Sequence, residues 1–297
     1  HMDVDCIGFT GSTRTGKLML QYSGQSNMKR VWLECGGKSP NIILADCPDL
    51  DRAAATAAGA IFFNQGEMCT AASRLIIEES VRDRVLEKVV EASRAMQPGD
   101  PLDPATRMGA IVDEIQTRTV LGYIDSGRSE GAAVLTGGQR VLEQTGGCYI
   151  GPTVFANVKS DMRIAREEIF GPVLAAITVK DAEEAVRIGN GVEYGLAAAV
   201  WTRDIGKAHR IAKSLRAGMV YVNWRVGIRK KTIEDSEDGW RRKGQEEQSH
   251  TERKELRRRF KAALATLKTS SLYRGRSERW RDDLPWYNAC RRSVDSG

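Results

Sequence analysis

Two patterns of apolar and polar positions take turns along residues 1–223. Ile7-Gly8-Phe9-Thr10 reads as a short strand running into Gly11-Ser12-Thr13, with a helical stretch over about 16–21 and Ser12 or Thr13 as its N-cap. The run 41–44 predicts a buried strand, closed by Asp46-Cys47-Pro48-Asp49, and the Ala-rich run 50–63 a closely packed helix. A strand at 75–77 precedes a helix over 81–96, where Val85, Val89, Ala92 and Met96 fall at helical spacing. Pro98-Gly99-Asp100-Pro101 marks a turn. Further on, the pattern gives a helix at 113–127, a strand at 133–136, a Gly146-Gly147 turn, strands at 173–179 and 197–201 around a helix at 182–189, a helix at 205–215 and a strand at 219–223. Strands alternating with helices of this length predict an α/β domain with a mainly parallel sheet flanked by helices. No internal repeat is visible.

After Asn223 the texture changes, and charge makes the boundary sharper. The net charge of +6 suggests an acidic partner until it is divided along the chain. Residues 224–297 hold 20 Lys and Arg against 12 Asp and Glu, whereas 1–223 holds 25 against 27. The basicity belongs to the tail. Its residues 228–261 have few apolar positions, 253–267 has the pattern of a basic helix, and its far end lacks periodicity. Hydrophobic content of 41% is enough for a real core in the rest. No apolar run approaches the roughly 20 residues that span a bilayer, and the N-terminus lacks the basic-then-apolar order of a signal peptide. A cytoplasmic setting is the expectation. Six scattered cysteines without a C-x-x-C pair argue against a disulfide framework and a structural zinc site. The default reading of such thiols is that most are small buried hydrophobes.

Three Gly-anchored stretches carry chemistry. Phe9-Thr10-Gly11-Ser12-Thr13 with Gly16 is a small-residue turn ahead of a helix, where backbone N–H groups and the dipole suit a phosphate. Such turns are also common connectors. Leu33-Glu34-Cys35-Gly36-Gly37-Lys38-Ser39-Pro40 sets an acid beside two glycines, which taken alone reads best as a solvated Glu before a turn. Phe62-Phe63-Asn64-Gln65-Gly66-Glu67-Met68-Cys69-Thr70 places a Cys just after a Gly turn, opening into small residues. A thiolate is the nucleophile, so a site there needs a lowered pKa or a nearby base.

In this order and spacing the three stretches resemble the aldehyde dehydrogenase superfamily. Glu168-Ile169-Phe170-Gly171-Pro172-Val173 adds a fourth motif, and Tyr194-Gly195-Leu196 and Gly218-Met219-Val220-Tyr221-Val222-Asn223 extend the likeness over 1–223. Stretches such as Ser26-Asn27-Met28-Lys29-Arg30-Val31-Trp32-Leu33-Glu34 and Ala45-Asp46-Cys47-Pro48-Asp49-Leu50 are most similar to the gamma-glutamyl-gamma-aminobutyraldehyde dehydrogenases of putrescine breakdown. The resemblance implies three segments: 1–35 as the C-terminal remnant of a Rossmann-type NAD(P)-binding domain, 36–223 as the catalytic domain, and 224–297 as a basic tail without family likeness.

It also implies roles. Cys69 attacks an aldehyde to give a thiohemiacetal, hydride leaves to NAD or NADP, and Glu34 activates the water that hydrolyses the thioester. Gly11 and Ser12 lie by the pyrophosphate, Glu168 holds the nicotinamide ribose, Phe170 bounds the nicotinamide side, and the backbone carbonyl of Cys35 serves where the family usually has Leu. Glu67 and Met68 stand where Gln and Val are common, and a carboxylate near the nucleophile would disfavour its thiolate. Against the family pattern, most of the nucleotide-binding unit, the oxyanion-hole Asn and the segment after Asn223 used in homo-oligomer assembly find no counterpart. Two further readings therefore stand beside the enzyme. One is a catalytically inactive fragment or frameshifted product. The other takes 224–297, with Trp240, Trp280 and Trp286, as a nucleic-acid-binding appendage.

Overall fold

Two main sheets organise residues 1–223, the part of the chain that this computed structural model describes. The basic tail and the helix expected at 253–267 lie outside the described residues. The first sheet pairs β1 (Cys6–Thr10) with β2 (Arg30–Glu34) in parallel, joined by α1 (Thr13–Gly24). Ser12 is the N-cap of α1, its Oγ accepting from the Thr15 amide at 3.2 Å. The helix is longer than its apolar pattern, and β2 was not legible as a strand, because neither buries a full apolar face: of residues 1–35 only Gly16 and Lys29 are buried.

The remainder contains β3 (Pro40–Ile43), α2 (Leu50–Phe62), β4 (Arg74–Glu78), α3 (Arg82–Arg94), α4 (Glu114–Ser129), β5 (Ala133–Thr136), β6 (Arg140–Val141), β7 (Tyr149–Ile150), β8 (Thr153–Ala156), α5 (Arg163–Arg166), β9 (Val173–Val179), α6 (Ala182–Gly189), β10 (Ala197–Trp201), α7 (Ile205–Ser214) and β11 (Met219–Val222). Seven strands form one sheet in the order β11-β10-β3-β4-β9-β8-β5, and β6 and β7 make a small hairpin ladder. All neighbours in the large sheet are parallel except β5 and β8. The mainly parallel α/β expectation holds, with an antiparallel edge strand added.

Helices cover both faces, so alternate residues of the central strands serve two cores. Ile42, Ile76, Ala175 and Ile177 pack with Val120 and Ile124 of α4, Ile188 of α6 and Ile211 of α7. Ile43, Leu75, Ile77, Leu174 and Ala176 face the alanines of α2 and Val85 and Val89 of α3. Burying on both faces erases period-two alternation, which is why β3 and β4 read as continuous apolar runs. Four helices start on an aspartate whose side chain accepts an orphan amide: Asp49 from Arg52, Asp113 from Gln116, Asp181 from Glu184 and Asp204 from Lys207, at 2.7–2.9 Å.

Two expectations need correcting. Strand β8 was missed because Thr153-Val154-Phe155-Ala156 is too short to show a period. The thiols are not mostly buried either: of the described cysteines only Cys47 is, while Cys6 is exposed and Cys35, Cys69 and Cys148 are half-buried.

Candidate active site

The site forms where two sets of strand ends meet. Gly11 and Ser12 follow the carboxyl end of β1, and Glu34 closes β2. Opposite them are the amino ends of β3, β4 and β9, held level by the pairing of Pro40 with Arg74 and of Arg74 with Ala175. The loops leading into these three strands carry Gly36-Gly37, Cys69 and Glu168. Three segments distant in sequence thus reach one edge of the large sheet.

The Cys69 loop is shaped by unusual backbone. Asn64, Gln65 and Gly66 all lie in the left-handed region, with φ of 49°, 47° and 75°. For the first two this costs roughly 1–2 kcal/mol per residue. Local hydrogen bonds offset some of it: the Asn64 side chain donates to the Glu67 carbonyl at 3.1 Å, and the Glu67 amide donates back to the Asn64 carbonyl at 2.9 Å. Gly66 has no alternative, because a Cβ there would lie 2.2 Å from the Gly171 carbonyl oxygen. The turn therefore seats the Cys69 loop on the 168–171 segment.

Cys69 and Glu34 come together. Burial is the largest influence on the Cys69 thiol and pushes its pKa up; the hydrogen bond and charge of Glu34 push the same way, while the amides of Thr70 and Cys69 pull it down. The balance favours a protonated thiol facing a carboxylate. Such a pair can pass the thiol proton to Glu34 when the sulfur attacks. Glu67, read from the sequence as a threat to the thiolate, is turned elsewhere. Its oxygens accept from the Val112 amide at 3.1 Å and from Gln65 Nε2 at 3.0 Å. The carboxylate that loads Cys69 is Glu34.

Gly36 and Gly37 fill the space between Cys69 and Glu168. A Cβ on Gly36 would lie 2.0 Å from Glu168 Oε2, and one on Gly37 would lie 2.2 Å from the Cys69 carbonyl oxygen. The Gly37 amide donates to Glu168 Oε1 at 3.1 Å. Burial raises the pKa of Glu168, whereas the Gly37 amide and the Lys38 charge lower it. Phe170, with φ of 54° and 40% of its surface open, lies beside this cluster, and its carbonyl and that of Ile169 accept from Gln116 Nε2 at 2.8 and 2.9 Å.

Gly11, Ser12 and Cys35 stand apart from Cys69. The Gly11 amide donates to the Glu34 carbonyl at 3.0 Å, which fixes the β1 turn to the end of β2. Cys35 faces α1: its Sγ would sit 2.7 Å from a Cβ on Gly16, so the bare glycine lets the helix close over β2. Ser12 bonds only within its own turn. A dinucleotide needs anion-binding amides at one end and a hydroxyl acceptor at the other. The opening amides of α1 and the Glu168 carboxylate fit those two needs.

Two residues of this edge escaped the sequence reading. Arg74 is buried and donates to the carbonyls of Lys38, Ile188 and Gly189 at 2.8–2.9 Å, tying the start of β4 and the loop before β3 to the carboxyl end of α6. A cation there satisfies orphan carbonyls and the helix dipole together. Lys38 is buried beside it, and desolvation and the Arg74 charge push its pKa down to about 7. A Lys after two glycines looks like a solvated turn residue in sequence. Nothing there announces burial.

Comparison with known proteins identifies the family. The family model described as the aldehyde dehydrogenase family matches residues 1–254. The NADP/NAD-dependent aldehyde dehydrogenase PuuC of Escherichia coli is 49% identical over 223 residues, covering 75% of this chain and 44% of PuuC. Among solved structures, a gamma-glutamyl-gamma-aminobutyraldehyde dehydrogenase from Burkholderia cenocepacia is 62% identical with a TM-score of 0.75, over 76% of this chain and 46% of that one. The aldehyde dehydrogenase KauB from Pseudomonas aeruginosa is 60% identical with a TM-score of 0.76, over the same shares. The chain thus spans a little under half the length of the relatives it matches.

Proposed function

The chain belongs to the aldehyde dehydrogenase family, and from that premise we propose that it performs NAD(P)-dependent oxidation of an aldehyde to a carboxylic acid, with Cys69 as nucleophile and Glu34 as general base. The observation that carries this reading is the pairing of the half-buried Cys69 thiol with the Glu34 carboxylate.

Glu34 accepts the thiol proton as the sulfur adds to the carbonyl carbon, giving a thiohemiacetal. The amides of Cys69 and Thr70, which pull the thiol pKa down, favour the sulfur anion as its proton leaves. A nicotinamide dinucleotide, when bound, supplies the acceptor for the hydride that leaves this carbon. The thioester left on Cys69 is cleaved by water, whose proton Glu34 takes. Glu34 passes the first proton to solvent before the hydrolysis step, and after hydrolysis it can return the water proton to the departing Cys69 sulfur, so one carboxylate facing the sulfur serves both transfers. Ser12, Gly11 and the opening amides of α1 would hold the pyrophosphate, Glu168 the nicotinamide ribose, and Phe170 would wall the nicotinamide side.

The relatives suggest gamma-glutamyl-aminobutyraldehyde as the aldehyde, since a dehydrogenase named for that substrate is 62% identical. Half-buried and exposed free thiols suit a reducing compartment such as the cytoplasm, and among the described residues no helix is long and apolar enough to cross a membrane. The test is NAD(P)H formation with that aldehyde: turnover in the unaltered chain and none in Cys69→Ala supports the reading, and equal turnover in both overturns it.

A further inference from the structure

The loops that carry Cys69 and Glu168 are joined twice. One join is direct, the close approach of Gly66 to the Gly171 carbonyl. The other runs through the first turn of α4, which bonds to both loops through side chains that the proposed chemistry does not use. Glu67, two residues before Cys69, accepts at Oε1 from the Val112 amide at 3.1 Å. Gln116, one turn further along, donates from Nε2 to the Ile169 and Phe170 carbonyls at 2.9 and 2.8 Å. A carboxamide nitrogen carries two hydrogens, so both are spent on this segment.

That turn is itself anchored from outside the two loops. Asp113 caps α4, accepting from the Gln116 amide at 2.7 Å. The Ile111 amide donates to the Cys148 carbonyl at 2.7 Å, and Glu114 pairs with Arg140 of β6 at 3.0 Å. The loops need such an anchor. Asn64 and Gln65 on one side and Phe170 on the other have φ of 49°, 47° and 54°, a region that side chains of this size keep only where their surroundings over-determine it. Gln65 Nε2 donates to the second oxygen of Glu67 at 3.0 Å, so that carboxylate ties a strained residue to α4. The Phe170 carbonyl is held by Gln116 directly. Each strained stretch thus reaches α4 through one side chain.

We propose that Glu67 and Gln116 are positioning residues which, through the first turn of α4, brace the loop of Cys69 against the loop of Glu168 and Phe170, so that the nucleophile and the groups facing the cofactor keep one register. The functional half of this rests on the reading of Cys69, Glu168 and Phe170 given above. A brace implies cross-talk: cutting it at one end loosens the loop at the other. A side chain with a purely local role loosens only the loop it touches. The contact of Gly66 with Gly171 is between backbones and is not altered by changing either side chain.

Hydrogen exchange of the full chain, read by mass spectrometry in peptides covering 64–70 and 167–172, tests it. Gln116→Met keeps the length of the side chain and removes both bonds. Exchange rises several-fold in both peptides; a rise confined to 167–172, or none, overturns the brace. Glu67→Ala gives the same pair of rises, and Glu67→Gln, which keeps an acceptor for the Val112 amide, restores the unaltered rates. Loosening in Glu67→Gln equal to that in Glu67→Ala overturns the role of that bond. The double variant exchanges no faster than the looser of the two single ones, because a brace is cut only once; fold-effects that multiply overturn it. Calorimetry with NAD⁺ reads the consequence. Affinity falls several-fold in Gln116→Met and in Glu67→Ala and is kept in Glu67→Gln. A fall in Gln116→Met with unchanged exchange assigns Gln116 to direct cofactor contact and overturns the brace, and unchanged affinity with loosened loops overturns its part in cofactor binding. No NAD⁺ binding by the unaltered chain overturns the cofactor reading, and exchange then decides the brace by itself.

Discussion

Trp32 and Trp201 both sit on strands of parallel ladders, and their surroundings are opposite. Trp32 on β2 is 57% exposed, with Leu33 beside it open to solvent. Trp201 closes β10 at 1% exposed, its indole donating to Asn41 Oδ1 at 3.1 Å. The backbone pairing is the same kind in both sheets, so pairing is not what separates them. The large sheet has helices on both faces; the small one has α1 on one side and leaves Met28, Leu20 and Tyr22 exposed. Stability follows burial of apolar surface, and ladders without it are marginal. The lesson concerns the chemistry. Cys69 belongs to the well-packed region and Glu34 to the poorly packed one, so the proposed nucleophile and its base rest on elements of unequal stability.

Hydrogen exchange should expose this difference most strongly. Amides of β3, β4 and β9 are expected to exchange only through global unfolding, and those of β1 and β2 through local opening, orders of magnitude faster. Equal protection in the two sheets, read by mass spectrometry of peptides from 30–34 and 74–78, would remove the contrast. Substitution gives the next largest effect. Trp201→Ala leaves a cavity and an unpaired Asn41 and should cost about 3–5 kcal/mol in denaturant unfolding. Trp32→Ala should stay within about 0.5 kcal/mol. A Trp32 variant as damaging as the Trp201 one would mean that β2 is covered in solution.

The same contrast explains what could be read from the sequence. Strands β3, β9 and β10 were legible because double-sided burial writes an unbroken apolar run, and α2 because a helix between sheet and α3 selects alanine. Strand β2 was not, since Arg30-Val31-Trp32-Leu33-Glu34 buries little and leaves no pattern. The resemblance to a known family pointed to Cys69, Glu34 and Glu168, where composition alone made Glu34 a solvated turn residue. Lys38 and Arg74 stayed hidden for a physical reason: Arg74 is buried against the carbonyls of 38 and 188–189, and Lys38 against residues of 189–198 and 215–217. No local window contains those contacts. Glu67 went astray similarly, being next to Cys69 in sequence but bonded to Val112 in space.

Gly37 joins the two regions, and adding one methyl there is a smaller perturbation. In Gly37→Ala the new Cβ meets backbone, the Cys69 carbonyl, and cannot be relieved by rotating a side chain. Overpacking of this kind costs about 1–3 kcal/mol, measurable by denaturant unfolding. Gly8→Ala is the control, as a Cβ at Gly8 meets nothing within 4 Å. A Gly37 variant as stable as this control would show that the turn yields, and that the Gly36-Gly37 wedge is not rigid.

The smallest effect speaks most directly to the pairing of Cys69 with Glu34. Alkylation rate against pH reports the thiolate fraction of Cys69. In the unaltered chain the midpoint lies above that of an ordinary thiol, since burial, then the hydrogen bond and charge of Glu34, disfavour the anion. Glu34→Gln removes the charge and keeps the shape, so the midpoint moves down. It does not fall by the whole elevation, because burial, the larger cause, is untouched. The shift also measures how firmly β2 is held. If local opening carries Glu34 away for much of the time, the unaltered chain already behaves partly like the variant and the shift shrinks. A clear downward shift means the poorly packed strand still delivers its carboxylate; identical profiles mean it does not, and the proposed base is then lost with the strand that carries it.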